Sequence, residues 1–381
     1  MNPAPPTAST TAAATEIVAV DCFPALLPLR KPLVMATYRI DDGPVLFVRI
    51  RTRGGAEGWG EAAASPIMSG ETLVGMQAAV ATLIAPRLIG SCVLDRARLS
   101  RELRASMYAN GGALAAVDMA MLDLAGRILD VPAVMLLGGA IRRTVQPLWL
   151  VGGSGSVEKD VDEARALHAQ GFRAFKLKAG LKPVEEEIRT VRLLREALGS
   201  DCLIAADANM GWDPTRAIRF TNGAAPFGLA FLEQPTAAGD IARMATVAAA
   251  SPVPIGMDES LHGLADLHAH VAARAIGGAS LKTIKLGGIT PLVATAGVCE
   301  ALGLSVNLAM MMESSLATAA MIHAACAIPR IDWGLSLGNL WLAEDPVTQP
   351  ITPTQGLAHC PAGPGLGVTV DERRITALAL H

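Results

Sequence analysis

No C-x-x-C pair, no basic cluster and no uncharged apolar stretch approaching the ~18 residues of a spanning helix occurs in this 381-residue sequence. Each absence removes a class of protein. The six cysteines (Cys22, Cys92, Cys202, Cys299, Cys326, Cys360) are scattered, mostly in apolar stretches. They point to buried reduced thiols in a cytoplasmic protein rather than to a disulfide or zinc framework. A net charge of −3 offers neither a nucleic-acid footprint nor a polybasic membrane patch. No G-x-G-x-x-G opens a βα unit and there is no P-loop. None of the seven histidines stands at an expected strand end, so a histidine general base is not expected, and His268 and His270 read as surface residues of a helix. The opening MNPAPPTASTTAAATE has no basic n-region and no apolar h-region, and reads as a small, polar, disordered leader over residues 1–15.

What is present is a large apolar core: 51 % apolar and 18 % charged residues, in a length that suits a barrel of about 250 residues plus a smaller partner. Residues 16–140 read as an α+β domain. A strand at 17–20, an apolar loop (FPALLPLRKPLVMA, 23–36), TYRI, a DDG turn, VLFVRIRT, a Gly54-Gly55 turn and GWGEA form an antiparallel meander. Helical periodicity follows over 71–86, 94–107 and 112–128. Residues 141–345 alternate short apolar runs with helices. The runs are PLWLVGG, AFKLKAG, CLIAADAN, LAFLEQP, VPIGMDES, SLKTIKLGG and SVNLAMMMESS; the helices fall near 183–199, 214–224, 239–250, 262–275, 289–303 and 315–327. That grammar predicts a parallel barrel, with an eighth unit less clearly marked and residues 346–381 returning to the first domain.

Lys178, Asp207, Glu233, Asp258 and Lys282 recur at intervals of 29, 26, 25 and 24 residues, each at or just past the end of an apolar run. One βα unit takes roughly 25 residues, so these side chains mark the face of the barrel on which the loops build a site. Lys176 and Lys178 share a side of their strand, as do Asp207 and Asn209, because side chains alternate. Two lysines inside a barrel need anionic partners. Three carboxylates on successive strand ends would repel one another, and a hard divalent cation, Mg²⁺ by its taste for carboxylates, water and substrate oxygens, removes that repulsion. Lys282 stands across the barrel from Lys178, so two amines could take a proton from one face of a carboxylate substrate and deliver one to the other. Lys285 is offset by an odd number from Lys282 and is expected to turn away and pair with Asp258 or Glu259. Glu313 either holds the far side of the site or caps the next helix. Gly152, Gly153 and Gly155 read as a tight turn.

Together FKLK (Lys176, Lys178), DAN (Asp207, Asn209), EQP (Glu233), Asp258-Glu259-Ser260, the K-x-x-K-x-G-G of SLKTIKLGG (Lys282, Lys285), Glu313 and the closing PGLGVTVDE resemble the enolase superfamily in its muconate-lactonizing subgroup. The resemblance covers essentially the whole chain. It implies a (β/α)7β-type TIM barrel with an N-terminal α+β capping domain completed by the C-terminus, and a homo-oligomer acting on a small-molecule carboxylate. It implies Asp207, Glu233 and Asp258 as ligands of Mg²⁺, with Mn²⁺ as a substitute. Lys178 and Lys282 would be the acid/base pair around an enediolate, and Lys176 would touch the substrate carboxylate. Asn209, Glu259 and Lys285 would support them, and loops 23–36 and 62–72 would set specificity. Dipeptide epimerases of the subgroup carry D-x-D near the last strand, whereas here Asp332 is followed by Trp333-Gly334. The reading favoured from sequence is therefore a racemase, epimerase or dehydratase of a proline-like or N-substituted amino acid, similar to cis-3-hydroxyproline dehydratase. Asp332 would be the partner of its nitrogen and Glu313 a further substrate contact. The alternatives are a muconate cycloisomerase, to which WGLSLGNLWLAED is similar, a Schiff-base lyase using Lys178 or Lys282, and a catalytically silent barrel acting as a binding protein.

Overall fold

A computed structural model describes residues 13–153 and 155–380. The chain opens with three antiparallel strands, β1 (Ile17–Val34), β2 (Arg39–Thr52) and β3 (Glu57–Ala63), hydrogen-bonded in that order. The expected apolar loop at 23–36 is mostly strand: β1 pairs with β2 as far as Val34, opposite Arg39. Within the sheet β1 pairs only with β2 and its other side meets isolated bridges at Ala379 and Leu342, so Pro24, Pro28 and Pro32, which lack an N–H, are tolerated in it. The expected leader lies mostly outside the described residues, but Ala14 and Thr15 at its end accept backbone hydrogen bonds from Gly54 and Val93.

Next come α1 (Leu73–Ala79), a π-helical turn (Val80–Ile84), α2 (Ala85–Leu88), α3 (Arg96–Ala105) and α4 (Gly111–Ile128). Every residue of α4 from Gly112 to Gly126 is buried, as an all-round apolar helix requires. Its small side chains let β3 come unusually close. A Cβ on Gly60 would stand 2.1 Å from the Ala116 carbonyl oxygen, and one on Gly58 would stand 2.4 Å from the Leu124 nitrogen.

The second half begins with β4 (Thr144–Val145) and β5 (Leu148–Val151). It then alternates through α5 (Val157–Ala169), β6 (Ala174–Lys178), α6 (Val184–Leu198), β7 (Leu203–Asp207), α7 (Pro214–Ala224), β8 (Leu229–Glu233), α8 (Ile241–Ala250), β9 (Ile255–Met257) and α9 (Leu264–Ala272). It continues with β10 (Gly278–Leu281), the one-turn helix α10 (Thr283–Leu286), α11 (Ile289–Ala301), β11 (Ser305–Leu308) and α12 (Ser315–Ala327), and ends with β12 (Ala358–His359) and α13 (Glu372–Ala377). Strands β5 to β11 form one seven-stranded sheet of parallel neighbours. The eighth stave is the segment around Leu335. Leu148 donates to the Leu335 carbonyl at 2.7 Å, and Leu308 and Ser336 bond across the other side, so the segment joins β11 back to β5. The fold is α/β, a (β/α)7β-type barrel with an N-terminal α+β cap. Sequence reading overlooked α5, whose VEKDVDEARALHA is rich in charge, although Val157, Val161 and Ala164 recur at helical spacing and are buried, and Ser156 caps it by accepting from the Lys159 amide.

Cap and barrel exchange carboxylates. Glu61 of β3 accepts from the Ser314 hydroxyl and the Ala317 amide at the start of α12, while Glu313 accepts from the Ala63 amide of β3 and from Met311. The C-terminal segment lies on the cap: Leu26 donates to the Leu378 carbonyl, and Leu366 donates to Asp123 of α4. Two histidines differ from expectation. His270 is buried, with Nδ1 on the Asp266 carbonyl of its own helix, and His359 closes the short β12 at the opposite end of the barrel from the strand C-termini. Among the described residues no helix is long and apolar enough to cross a membrane.

The close approach of β3 and α4 makes one prediction. Gly60→Ala should cost about 1–3 kcal/mol, the usual range for overpacking, and lower the melting temperature; an unchanged melt would show that this packing can shift freely.

Candidate active site

Parallel strands deliver their C-terminal side chains to one face, and the structure gathers there the residues whose spacing drew attention. Lys178 ends β6, Asp207 ends β7, Glu233 ends β8, Asp258 follows β9 and Lys282 follows β10. Alternation along β6 turns Lys176 inward as well. Each cavity-lining acid has its own lysine: Lys178 Nζ lies 2.6 Å from Asp207, Lys176 Nζ 2.6 Å from Glu233, and Lys282 Nζ 2.6 Å from Asp258. All three acids are about 1 % exposed.

A second layer holds this one. Asn209, in the left-handed region at φ 40°, accepts from Lys178 and donates to Glu259; asparagine tolerates that backbone better than most residues. Lys285 donates to Asp258, as expected, but the reason differs. Residues 283–286 are helix rather than strand, so Lys282 and Lys285 face the same carboxylate from one helical turn. Gln234, at φ 33°, accepts from the Asp258 and Ser260 amides and donates to the Ser260 hydroxyl, shaping the loop that carries Asp258. The sequence reading passed over Gln234; its place directly after a strand-ending acid was the available signal.

Burial and charge pull against each other here. Burial alone would depress the Lys282 ammonium, but Asp258 and Glu259 outweigh it and hold its pKa above the usual lysine range. Burial would raise Asp258, but Lys282 and Lys285 hold it well below the usual carboxylate range. In Glu233 burial wins over Lys176 and the pKa is raised. Glu259 is pushed up to about 8, first by burial and then by Asp258 and Asp207.

The cavity above these groups is small, about 40 Å³, and its remaining wall is apolar or neutral: Leu150, Met310, Met311, Met312, Leu337 and Trp341 from the barrel, with Met35, Tyr38 and Ile40 from the cap. Tyr38 was not foreseen; it lies just beyond the expected specificity loop. It sits in the β1–β2 turn, closed by the Met35 amide on the Tyr38 carbonyl and pinned to the barrel by Thr37 Oγ1 donating to the Asn209 carbonyl. Burial, reinforced by Glu259 and Asp207, holds its phenol far above the ordinary tyrosine range, so it stays a neutral hydrogen-bond donor. From loop 62–72, the Met68 sulfur lies 3.7 Å from Lys282 Nζ.

Two expected substrate contacts are corrected. Asp332 precedes the eighth stave, at the far end of the barrel, where it is exposed and paired with Arg330; a residue at the start of a stave cannot reach the side chains at strand ends. Glu313 neither lines the cavity nor caps α12, whose cap is Ser314. Its oxygens are engaged by the Ala63 and Met311 amides.

The donor set fits a hard divalent cation. Three buried carboxylates converge from adjacent staves, and Glu233 is raised by burial, the condition that added positive charge relieves.

Comparison with known proteins gives a consistent result. A family model described as "Enolase C-terminal domain-like" matches residues 159–374, and one described as "Mandelate racemase / muconate lactonizing enzyme, N-terminal domain" matches residues 17–138. A chloromuconate cycloisomerase of Cupriavidus pinatubonensis is 31 % identical over 93 % of this chain and 96 % of its own length. Muconate cycloisomerase 1 of Rhodococcus opacus is 33 % identical over the same shares. Among solved structures, muconate lactonizing enzyme from Pseudomonas fluorescens complexed with muconolactone superposes with a TM-score of 0.91 at 29 % identity, covering 96 % of this chain and all of that one. An N-succinyl Arg/Lys racemase from Bacillus cereus superposes with a TM-score of 0.90 at 26 % identity, covering 96 % and 98 %.

Lys176→Met should leave Glu233 without its lysine and cost about 3–5 kcal/mol near neutral pH. A buried acid with a raised pKa penalises the fold only when ionised, so the loss should shrink as pH falls toward the ordinary carboxylate value near 4.5. Urea melts at two pH values measure this, and a pH-independent loss would contradict the argument.

Proposed function

Because the chain belongs to the mandelate racemase/muconate lactonizing enzyme family of the enolase superfamily, we propose that it is a cycloisomerase of a muconate-like, conjugated dicarboxylate. One observation carries the reading. Among the described residues every acid lining the cavity is matched to a lysine, and no cavity-lining carboxylate is left for a substrate ammonium. With Asp332 at the other end of the barrel, the proline-like amino acid among the substrates favoured from sequence loses its nitrogen partner. A dicarboxylate suits the site instead. A divalent cation on Asp207, Glu233 and Asp258 would add two positive charges to a compensated wall, and a dianion restores neutrality.

The chemistry follows from the lysines. One substrate carboxylate oxygen adds across the diene and forms the ring C–O bond. The displaced electron pair moves toward the other carboxylate as an enediolate, and a lysine ammonium delivers a proton to the α-carbon. Lys282, held above the usual lysine range by Asp258 and Glu259 against burial, carries a proton at neutral pH, and Lys178 stands on the opposite side. Lys176 would bind carboxylate oxygen, Tyr38 would donate to a substrate oxygen, and the methionine wall excludes water. The bound cation, with Mg²⁺ the fitting ion, would supply fixed positive charge beside the carboxylate that becomes electron-rich. The reading keeps the enzyme in the cytoplasm, in line with its unpaired thiols, and homo-oligomeric, in line with its family. A second reading, racemisation of an N-acylated amino acid, is favoured by the pair of lysines on opposite staves and needs no ammonium partner.

With Mg²⁺, cis,cis-muconate should lose its diene absorbance, and in heavy water the lactone should carry one deuterium α to its carboxylate. Chelation should stop the reaction. Lys178→Met and Lys282→Met should each fold; the variant lacking the proton donor should lose about 10²–10⁴-fold in kcat. Stable diene absorbance together with α-proton exchange in N-succinyl amino acids would transfer the assignment to the racemase reading.

A further inference from the structure

At the end of the barrel opposite the active site, two of the six cysteines meet. Both are anchored to the segment 141–143 that leads into β4: the Cys326 carbonyl accepts from the Ile141 amide at 2.8 Å, and the Cys360 amide donates to the Arg143 carbonyl at 2.9 Å. Cys326 lies near the end of α12 and is fully buried, whereas Cys360, just after β12, is partly exposed. His323, one helical turn before Cys326, places Nδ1 3.4 Å from the Cys360 sulfur. That ring is fixed by the Val134 amide on Nδ1 and the Leu366 carbonyl on Nε2. Arg142, clamped on the carbonyls of Ala325, Ile328 and Pro329, and Arg143 add positive charge.

We propose that Cys360 and Cys326 form a peroxide-oxidisable thiol pair that closes to a disulfide. Reactive cysteines are partly exposed and electropositive, and redox-sensing ones stand next to a resolving thiol. Cys360 meets the first condition and Cys326 supplies the second. Hydrogen bonding with the Cys326 thiol pulls Cys360 down to about 5 against burial. In the first step the Cys360 thiolate attacks hydrogen peroxide. An S–O bond forms, the O–O bond breaks, sulfur loses two electrons, and hydroxide leaves and takes a proton. In the second step the Cys326 sulfur attacks Cys360. The S–S bond forms, the S–O bond breaks, and the hydroxyl leaves as water with the Cys326 proton. The net change is two thiols and one peroxide to one disulfide and two waters. The bond would tie the end of α12 to the C-terminal segment, while the start of the same helix carries the Ser314 clasp to the cap.

The test uses the full chain with stoichiometric hydrogen peroxide, alkylation of the remaining thiols, and digestion without reduction. The expected product is a Cys326–Cys360 cross-linked peptide, formed on the order of ten times faster than any oxidation at Cys22, which burial pushes up to about 11. Cys326→Ser should stop at a Cys360 sulfenic acid trapped by dimedone, and Cys360→Ser should abolish both products. Full alkylation of both cysteines after peroxide, or dimedone labelling of Cys360 in the Cys326→Ser variant no faster than of Cys22, would overturn the proposal. So would a dominant cross-link to any other cysteine.

Discussion

Buried charge is the constraint from which the rest of this structure follows. Asp207, Glu233 and Asp258 are held out of water at three adjacent strand ends, where an uncompensated carboxylate would cost several kcal/mol. The chain meets that cost with Lys176, Lys178 and Lys282, each within 2.6 Å of one acid. The resting site is therefore a closed set of ion pairs around a cavity of about 40 Å³. Under the proposed reaction, a cation held by these carboxylates would leave the ammonium groups available to a carboxylate substrate and a migrating proton.

The cap is part of this electrostatic arrangement and not only a cover. Glu61 and Glu313 cross between cap and barrel in opposite directions, each accepting hydrogen bonds from the other's element. Burial, followed by the neighbouring Glu313, pushes Glu61 up to about 8. The clasp fixes the segment that carries Met310, Met311 and Met312 along the cavity, while Thr37 on the Asn209 carbonyl fixes the turn that carries Tyr38. The apolar wall is thus registered to the charged floor by polar bonds whose partners lie hundreds of residues apart.

Several elements were legible because they rest on local rules. A strand delivers alternate side chains to one face, so Lys176 with Lys178 and Asp207 with Asn209 could be paired by counting, and a repeat near twenty-five residues exposed the βα grammar. Legibility failed where a residue's neighbours lie far away in the chain. The proline-rich half of β1 looked like a loop because its edge position is a property of the sheet. Lys285 was assigned its partner by strand parity, yet it reaches Asp258 from a helical turn. Glu313 and Asp332 sat near the right motifs, but the Ala63 and Met311 amides commit the first to the clasp and the path of the eighth stave puts the second at the opposite end. Tyr38 carried no pattern at all, and the only mark on Gln234 was its place directly after Glu233.

By itself the sequence determined the class of fold, the order of its staves and the identity of the charged residues at their ends, since periodicity and alternation are encoded over a few residues at a time. Only the tertiary structure decided which lysine neutralises which acid, which neutral side chains close the cavity, and that among the described residues no cavity-lining carboxylate remains to hold an ammonium. Those outcomes depend on distances between groups brought together from opposite ends of the chain, and electrostatic energy is set by distance and burial, neither of which a linear sequence contains.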